Sequence, residues 1–317
     1  MSFTEPANQL SLFGYNDYFD LWMRLVKSKR LPNCILLTGP KGLGKATFVY
    51  HFINAILSKG ESDEYSIPNF KISENNFSYK RIISNTHPNF FIVDNDIFSE
   101  QIKIEQVRIL LKFLSKSTFS KDLKIVLIDN FEKFNLNSIN ALLKTIEEPS
   151  RNTFFFIIHD SSYKILETIK SRCMEFKINF SESQKKNIFK QITQPYKEEC
   201  KSMNVGNNLY FDTPGNLLKK CLFLNESDTN IKKNTLSYAY FFLDRYLNEK
   251  NPLLLSFASS FIEKFYCELC LNNIANLNTH FQNYSKILRQ ISDMKNYNLF
   301  EKNTLITIKD ILHHETR

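Results

Sequence analysis

Two kinds of apolar pattern alternate along the first half of the chain. Cys34-Ile35-Leu36-Leu37 is apolar at every position, whereas from Lys45 to Ser58 the apolar residues Phe48, Val49, Phe52, Ile53, Ile56 and Leu57 fall on one helical stripe. The pair predicts a buried strand followed by a helix. The pattern repeats: Phe90-Phe91-Ile92-Val93 as a strand, then a helix from about Ile104 to Leu114 with Val107, Leu110 and Leu111 inward. Lys124 to Ile128 is a third strand. A helix over Ser138 to Glu148, stopped by Pro149, precedes a fourth strand over Phe154 to Ile158. Strands that are apolar throughout belong in a parallel sheet covered on both faces, which sets the fold class as α/β.

Between these elements, Lys59 to Lys80 is rich in Ser, Asn and Glu and reads as a loop or insertion outside the core. Beyond Asn179 only helical spacing continues, with a break at Asp212-Thr213-Pro214-Gly215-Asn216 that starts a new helix. The expected division is an α/β domain over 1–179, a small helical domain over 180–225 and an all-α domain over 226–317. Phe241, Phe242, Leu254, Leu255, Phe257, Phe261 and Phe265 are the candidate core of the last. A length of 317 residues suits two or three such domains.

Composition narrows the class. Hydrophobic residues at 43% and aromatics at 14% supply enough apolar surface for sizeable cores, which excludes a disordered chain. The apolar run Phe154–Ile158 is far short of the roughly 20 residues that span a bilayer, and Met1 to Leu10 has no signal pattern, so the expectation is a cytoplasmic protein with no membrane contact. The net charge of +8 permits contact with a polyanion without demanding it. Cys34, Cys173, Cys200, Cys221, Cys267 and Cys270 lack the dense spacing of a disulfide scaffold and are read as thiols. Cys267-x-x-Cys270 lies in helical apolar spacing without a second Cys or His pair, which favours core packing over zinc.

Glycine is scarce, with 7 in the chain, yet Gly39, Gly42 and Gly44 fall together. Gly39-Pro40-Lys41-Gly42-Leu43-Gly44-Lys45 fits G-x-x-x-x-G-K between a strand and a helix, the context of a phosphate loop. Glycines let backbone N–H groups turn inward, the helix terminus adds partial positive charge and Lys45 adds a full one. The pattern departs at the next position: Ala46 stands where a hydroxyl would hold Mg²⁺, and Thr47 lies about 100° further round the helix. ATP or ADP is therefore expected with Mg²⁺ weakly held. Asp129, at the end of the third strand, is the candidate carboxylate toward the metal. Asn130 follows where a hydrolase wants a general base, and an amide accepts no proton. Glu132 would face elsewhere if the strand continued.

Several segments in order carry a family resemblance: Arg30-Leu31-Pro32-Asn33, the Gly39–Lys45 loop, Asn85-Thr86-His87-Pro88-Asn89, Asn140-Ala141-Leu142-Leu143-Lys144-Thr145-Ile146-Glu147-Glu148-Pro149 and Ser171-Arg172-Cys173. In these the chain resembles the AAA+ subunits of the bacterial sliding-clamp loader, and among them the delta-prime family, over about residues 9 to 178. The resemblance implies a P-loop AAA+ domain, a helical lid and a C-terminal collar. It also implies that Arg172 acts in trans, completing the ATP site of a neighbouring subunit as a catalytic arginine finger, with a surface ion pair as the plainer alternative. The partners it implies are ATPase subunits of the tau/gamma type and a delta-type subunit in a hetero-pentameric ring, the sliding clamp and primer–template DNA. DNA contact would be through phosphates, with Lys103 and Arg108 as candidates.

The family's zinc-binding Cys cluster is missing, since Lys59 to Thr86 contains no Cys, so no zinc is expected. His159 stands where such ATPases place a polar sensor, with a structural His as the alternative; His87 reads as a turn residue. Ala46 and Asn130 favour a subunit that hydrolyses ATP weakly or not at all. The rival is an independent P-loop ATPase, such as a helicase loader or DNA-repair motor, and a third reading keeps nucleotide as a structural ligand only.

Overall fold

In the computed structural model, residues 5–94, 101–116, 123–200, 212–225, 234–297 and 300–315 are described. The chain divides into two compact units, residues 1–196 with 213–218 and residues 197–212 with 219–317. The first unit begins with α1 (Asn16–Lys27), β1 (Cys34–Gly39), α2 (Lys45–Leu57), α3 (Phe77–Ile83) and β2 (Phe90–Val93). It continues through α4 (Ile104–Ser115), β3 (Lys124–Ile128), α5 (Leu136–Glu147), β4 (Thr153–Asp160), α6 (Glu167–Lys170), β5 (Met174–Lys177) and α7 (Glu182–Ile192).

The five strands form one parallel sheet in the order β2-β3-β4-β1-β5. Because successive strand residues point to opposite faces, each all-apolar strand feeds two cores. Ile35, Leu37, Ile125, Leu127, Phe156 and Ile158 meet Phe19 and Trp22 of α1 and Phe48 and Phe52 of α2 on one face. Leu36, Val126, Ile128, Phe155 and Ile157 meet Val107 and Leu110 of α4 and Ile139, Leu142 and Ile146 of α5 on the other. Trp22 is the hub of the first core, with its ring centroid 4.7 Å from Phe48, 4.9 Å from Phe52 and 5.5 Å from Phe156. Aromatic pairs at such spacings add about 0.5–1.5 kcal/mol each beyond the area they bury.

The parallel α/β class is as the strand patterns predicted, with three differences. A fifth strand, β5, lies at the sheet edge; Met174-Glu175-Phe176-Lys177 is half polar, with Met174 and Lys177 exposed, so it carries no apolar run. Helix α5 starts two residues early, at Leu136, because the Asn135 side chain accepts from the Ser138 N–H at 2.8 Å and caps it. The polar segment 59–80 is not outside the core. Tyr65, Ile72, Asn76, Ser78 and Tyr79 are buried. Asn76 accepts from the Tyr79 N–H at 2.6 Å to cap α3 and donates to the Asp63 carbonyl at 2.6 Å. Its polar residues serve buried backbone groups, a use that composition does not separate from solvation.

Beyond α7 come α8 (Lys197–Cys200), α9 (Pro214–Asn225), α10 (Thr235–Glu249), α11 (Pro252–Asn272), α12 (Leu277–Tyr297) and α13 (Glu301–His314). Asn234 and Asn251 cap α10 and α11 through their side chains. Phe242 lies 5.5 Å from Phe257 and stacks on Phe261 at 5.7 Å, and the predicted core residues of this part are buried except the half-buried Phe241. Cys267 and Cys270 sit half-buried on α11. Among the described residues, no helix is long and apolar enough to cross a membrane.

Candidate functional site

The phosphate-loop sequence forms the turn from β1 into α2. Gly42 has φ +83° and Gly44, the residue before α2, φ +87°, the left-handed region that an L side chain enters only at a cost. The loop is tied down on several sides. The Tyr15 hydroxyl donates to the Leu43 carbonyl at 3.2 Å. Thr213 Oγ1 and Asn216 Nδ2 both donate to the Lys41 carbonyl, at 2.7 and 3.2 Å, and the Gly215 N–H donates to the Gly42 carbonyl at 3.0 Å. A Cβ at Gly42 would lie 2.3 Å from Thr213 Oγ1, so the turn at 213–216 clasps the loop over its glycine.

Lys45, 6% exposed, donates from Nζ to the Gly39 carbonyl at 2.5 Å and the Pro40 carbonyl at 2.9 Å. Burial pulls its ammonium below the ordinary value, and the carboxylates of Asp160, Asp129 and Glu132 oppose that pull. These acids arrive from the C-terminal ends of adjacent strands: Asp129 follows β3, and Asp160 ends β4 in register with Gly39. Burial and then the Asp94 carboxylate push Asp129 up to about 7, against the Asn130 N–H that it accepts at 2.8 Å.

Glu132 faces this group after all. Asn130 takes a left-handed conformation, φ +51°, which ends the strand direction and starts a 3-10 turn over Phe131–Lys133. The turn brings Glu132 Oε2 to the Asp160 N–H, which donates at 3.1 Å, and to within 3.7 Å of His159 Nδ1. Asn130 itself donates from Nδ2 to Asp94 Oδ1 at 2.7 Å. Extrapolating the strand missed Glu132; the Asp-Asn pair after an apolar run was the available signal, because Asn tolerates the left-handed region. His159 is buried, with Nε2 donating to the Tyr163 carbonyl at 3.0 Å. His87 accepts the Asn89 N–H at 3.2 Å and closes a turn.

The residues present suit one part of a magnesium nucleotide better than the other. Lys45 at the α2 terminus fits a phosphoryl group, provided the ligand displaces the loop carbonyls that now hold it. For Mg²⁺ the fit fails: Ala46 packs its methyl against the apolar core, and Thr47 is half-buried one position on. Among the described residues no group of His, Cys, Asp and Glu is arranged to hold a metal ion.

Arg172 lies at the other end of the sheet. It precedes β5, whose first residue Met174 pairs with Ile35 at the start of β1, whereas the phosphate loop leaves the end of β1. Five residue steps along a strand separate those ends by about 16 Å. Arg172 donates from Nη1 to the Thr168 carbonyl at 2.9 Å and from Nη2 to Glu147 Oε1 at 3.1 Å. Its side chain is partly exposed. Arg108 is exposed on α4, and Lys103, also exposed, is the residue before that helix, its N–H donating to Gln106 Oε1.

Comparison with known proteins gives three kinds of match. A 30% identity over 155 residues relates the chain to the DNA polymerase III subunit delta' of Pseudomonas aeruginosa, covering 49% of this chain and 45% of that protein, so the match spans less than half of the relative. Longer matches are to the subunit gamma of Buchnera aphidicola from Schizaphis graminum, 26% identical over 89% of this chain and 78% of that one, and to the subunit delta' of Buchnera aphidicola from Acyrthosiphon pisum, 25% identical over 80% and 89%. Among solved structures, the Thermotoga maritima RuvB Holliday junction branch migration motor aligns with a TM-score of 0.42 and 13% identity over 77% of this chain and 80% of that one. The model of the family described as DNA polymerase III, delta subunit matches residues 14–182, from just before α1 to the first residue of α7. That match takes in the whole sheet and more than half the chain, and it makes the protein a member of the DNA polymerase III, delta subunit family.

Proposed function

We propose that this chain is a delta-prime-like subunit of a DNA polymerase III clamp loader, acting as a stator with weak or no ATP hydrolysis of its own and lending Arg172 to the ATP site of an adjacent subunit. The observation that carries the reading is the placement of Arg172 at the opposite end of the sheet from its own phosphate loop. An arginine about 16 Å away along the strand direction has no use in its own site, yet it is partly exposed and held by groups that it can leave. Its planar fork suits phosphate oxygens, and an arginine delivered in this way is worth about 10³ to 10⁵ in rate.

The weak hydrolase half of the proposal rests on the loop. Ala46 offers no ligand to Mg²⁺, Asn130 no base to water, and Lys45 is engaged by the loop's own carbonyls. Gly39, Pro40, Lys41, Gly42, Leu43, Gly44, Lys45, Ala46, Thr47 and Asp129 would form the nucleotide site. ATP or ADP bound there acts as a structural ligand, raising stability without turnover. The reading includes the three-part division at 179 and 225, a ring of five subunits with tau/gamma-type and delta-type partners, the clamp, primer–template DNA and a cytoplasmic location. Replacing Arg172 by Ala in the assembled loader tests it: ATPase activity should fall, and unchanged activity would remove the arginine from the mechanism.

A further inference from the structure

Cys34 and Cys173 are 139 residues apart in sequence, yet their sulfurs lie 2.7 Å apart. That is only about 0.7 Å longer than a disulfide bond. The backbone explains the contact. Ile35 and Met174 are paired across the parallel ladder of β1 and β5, so the cysteines one residue before each of them stand side by side at the start of the two strands. Neighbouring strands run about 4.7–4.9 Å apart, inside the Cα separation of about 4.4–6.8 Å that a disulfide bridges. Both cysteines are thiols in this structure, Cys34 buried and Cys173 partly exposed.

We propose that Cys34 and Cys173 are a reversible oxidation site, closed to an intramolecular disulfide by small disulfides of the glutathione type. Cys173 is the more exposed of the two and the one from which the reaction starts. The hydrogen bond with Cys173 and then burial push the Cys34 thiol up, which removes it as the first attacker. The Cys173 thiolate attacks one sulfur of the oxidised reagent, breaking that S–S bond and releasing one molecule of its thiol. Cys34 then attacks the Cys173 sulfur of the mixed disulfide, and the second molecule leaves. The two protons lost by the cysteines end on the two released thiols; the cysteine pair is oxidised by two electrons and the reagent reduced by two. The product fixes the backbone that carries Arg172 to β1. The assignment stands on the thiol geometry and is independent of any role for that arginine.

A second thiol pair makes an internal contrast. Cys200 and Cys221 are hydrogen-bonded to each other, but both are buried, so no oxidant reaches either sulfur. The test is to incubate the reduced full chain with oxidised glutathione, block remaining thiols under denaturing conditions, digest it and map the peptides by mass spectrometry. A linked Cys34–Cys173 peptide that disappears with dithiothreitol, with Cys200 and Cys221 blocked as thiols, is the expected result. Cys34→Ala should trap Cys173 as a stable glutathione adduct, because nothing displaces it. Cys173→Ala should leave Cys34 unmodified, and it keeps the test open if the buried Cys34 variant fails to fold. Wild-type chain that keeps Cys34 and Cys173 as free thiols, or stops at the Cys173 adduct, would overturn the proposal.

Discussion

Arg172 Nη2 donates to Glu147 Oε1 across 3.1 Å, tying the residue after α6 and its capping serine to the last residue of α5. Both side chains are partly exposed, at 30% and 55%. An ion pair in that setting is worth about 0–1 kcal/mol. It holds the guanidinium in a defined place at little cost to its release.

The first prediction separates holding from chemistry. Glu147→Ala should leave the thermal stability of the isolated chain within about 1 kcal/mol of wild type. Under the proposed function, Arg172→Ala should lower turnover at the neighbouring subunit's ATP site by about 10³ or more, and Arg172→Lys should not restore it, because an ammonium lacks the planar fork. Thermal unfolding of the isolated chain reads the first, and single-turnover ATP hydrolysis by the assembled loader reads the Arg172 variants.

Ala46 and Asn130 make a second, graded prediction. Ala46→Ser should raise Mg²⁺-dependent nucleotide affinity by about tenfold, the scale on which metal sites respond to ligand-supporting groups, with no turnover. Adding Asn130→Glu should bring turnover up by about 10² to 10⁴, the usual share of a general base. The same change should cost about 1–2 kcal/mol of stability, since Asn130 sits at φ +51°. Equilibrium nucleotide titration followed by a turnover assay distinguishes the steps.

The clasp on the phosphate loop predicts a stability effect. Gly42→Ala puts a Cβ in the left-handed region, costing about 1–2 kcal/mol, and drives it to 2.3 Å from Thr213 Oγ1. Thermal unfolding should show a loss larger than the backbone cost alone. Thr213→Ala in the same chain should recover part of it by removing the obstructing oxygen.

His51 sets a pH dependence. It is buried, its Nε2 donates to the Gln9 carbonyl at 2.9 Å, and its Nδ1 accepts from the Tyr65 hydroxyl at 3.0 Å. Burial lowers it to about 4, against the Gln9 hydrogen bond that raises it. The unfolded chain binds that proton near 6.5 and the folded chain only near 4, so stability is lost as pH falls from about 6.5 to 4. The contribution is about 3 kcal/mol. Denaturant unfolding at steps across that window should show the slope, and His51→Gln should flatten it.

The sheet was legible because its strands are apolar at every position, as strands with two covered faces must be. β5 was not, since Met174–Lys177 is half polar, with both ends exposed, and carries no apolar run. The segment around Asn76 was hidden for a related reason: its polar side chains bond buried backbone, and composition records polarity without its partner. At the site, glycine spacing revealed the loop of Gly39 to Lys45. The inward turn of Glu132 depends on one backbone torsion at Asn130, and the clasp by Thr213 and Asn216 on a contact more than 170 residues away. The first leaves only the Asp129-Asn130 pair as a local sign, and the second leaves none.

The central claim is that this chain completes a neighbour's ATP site and does little chemistry in its own. Mg²⁺-dependent ATP turnover, by the purified chain alone and then mixed with its loader ATPase subunit, clamp and primed DNA, tests it most directly. The expected result is silence alone and turnover in the mixture that falls when Arg172 is replaced by Ala. Robust turnover by the isolated chain would contradict the account and make it a motor.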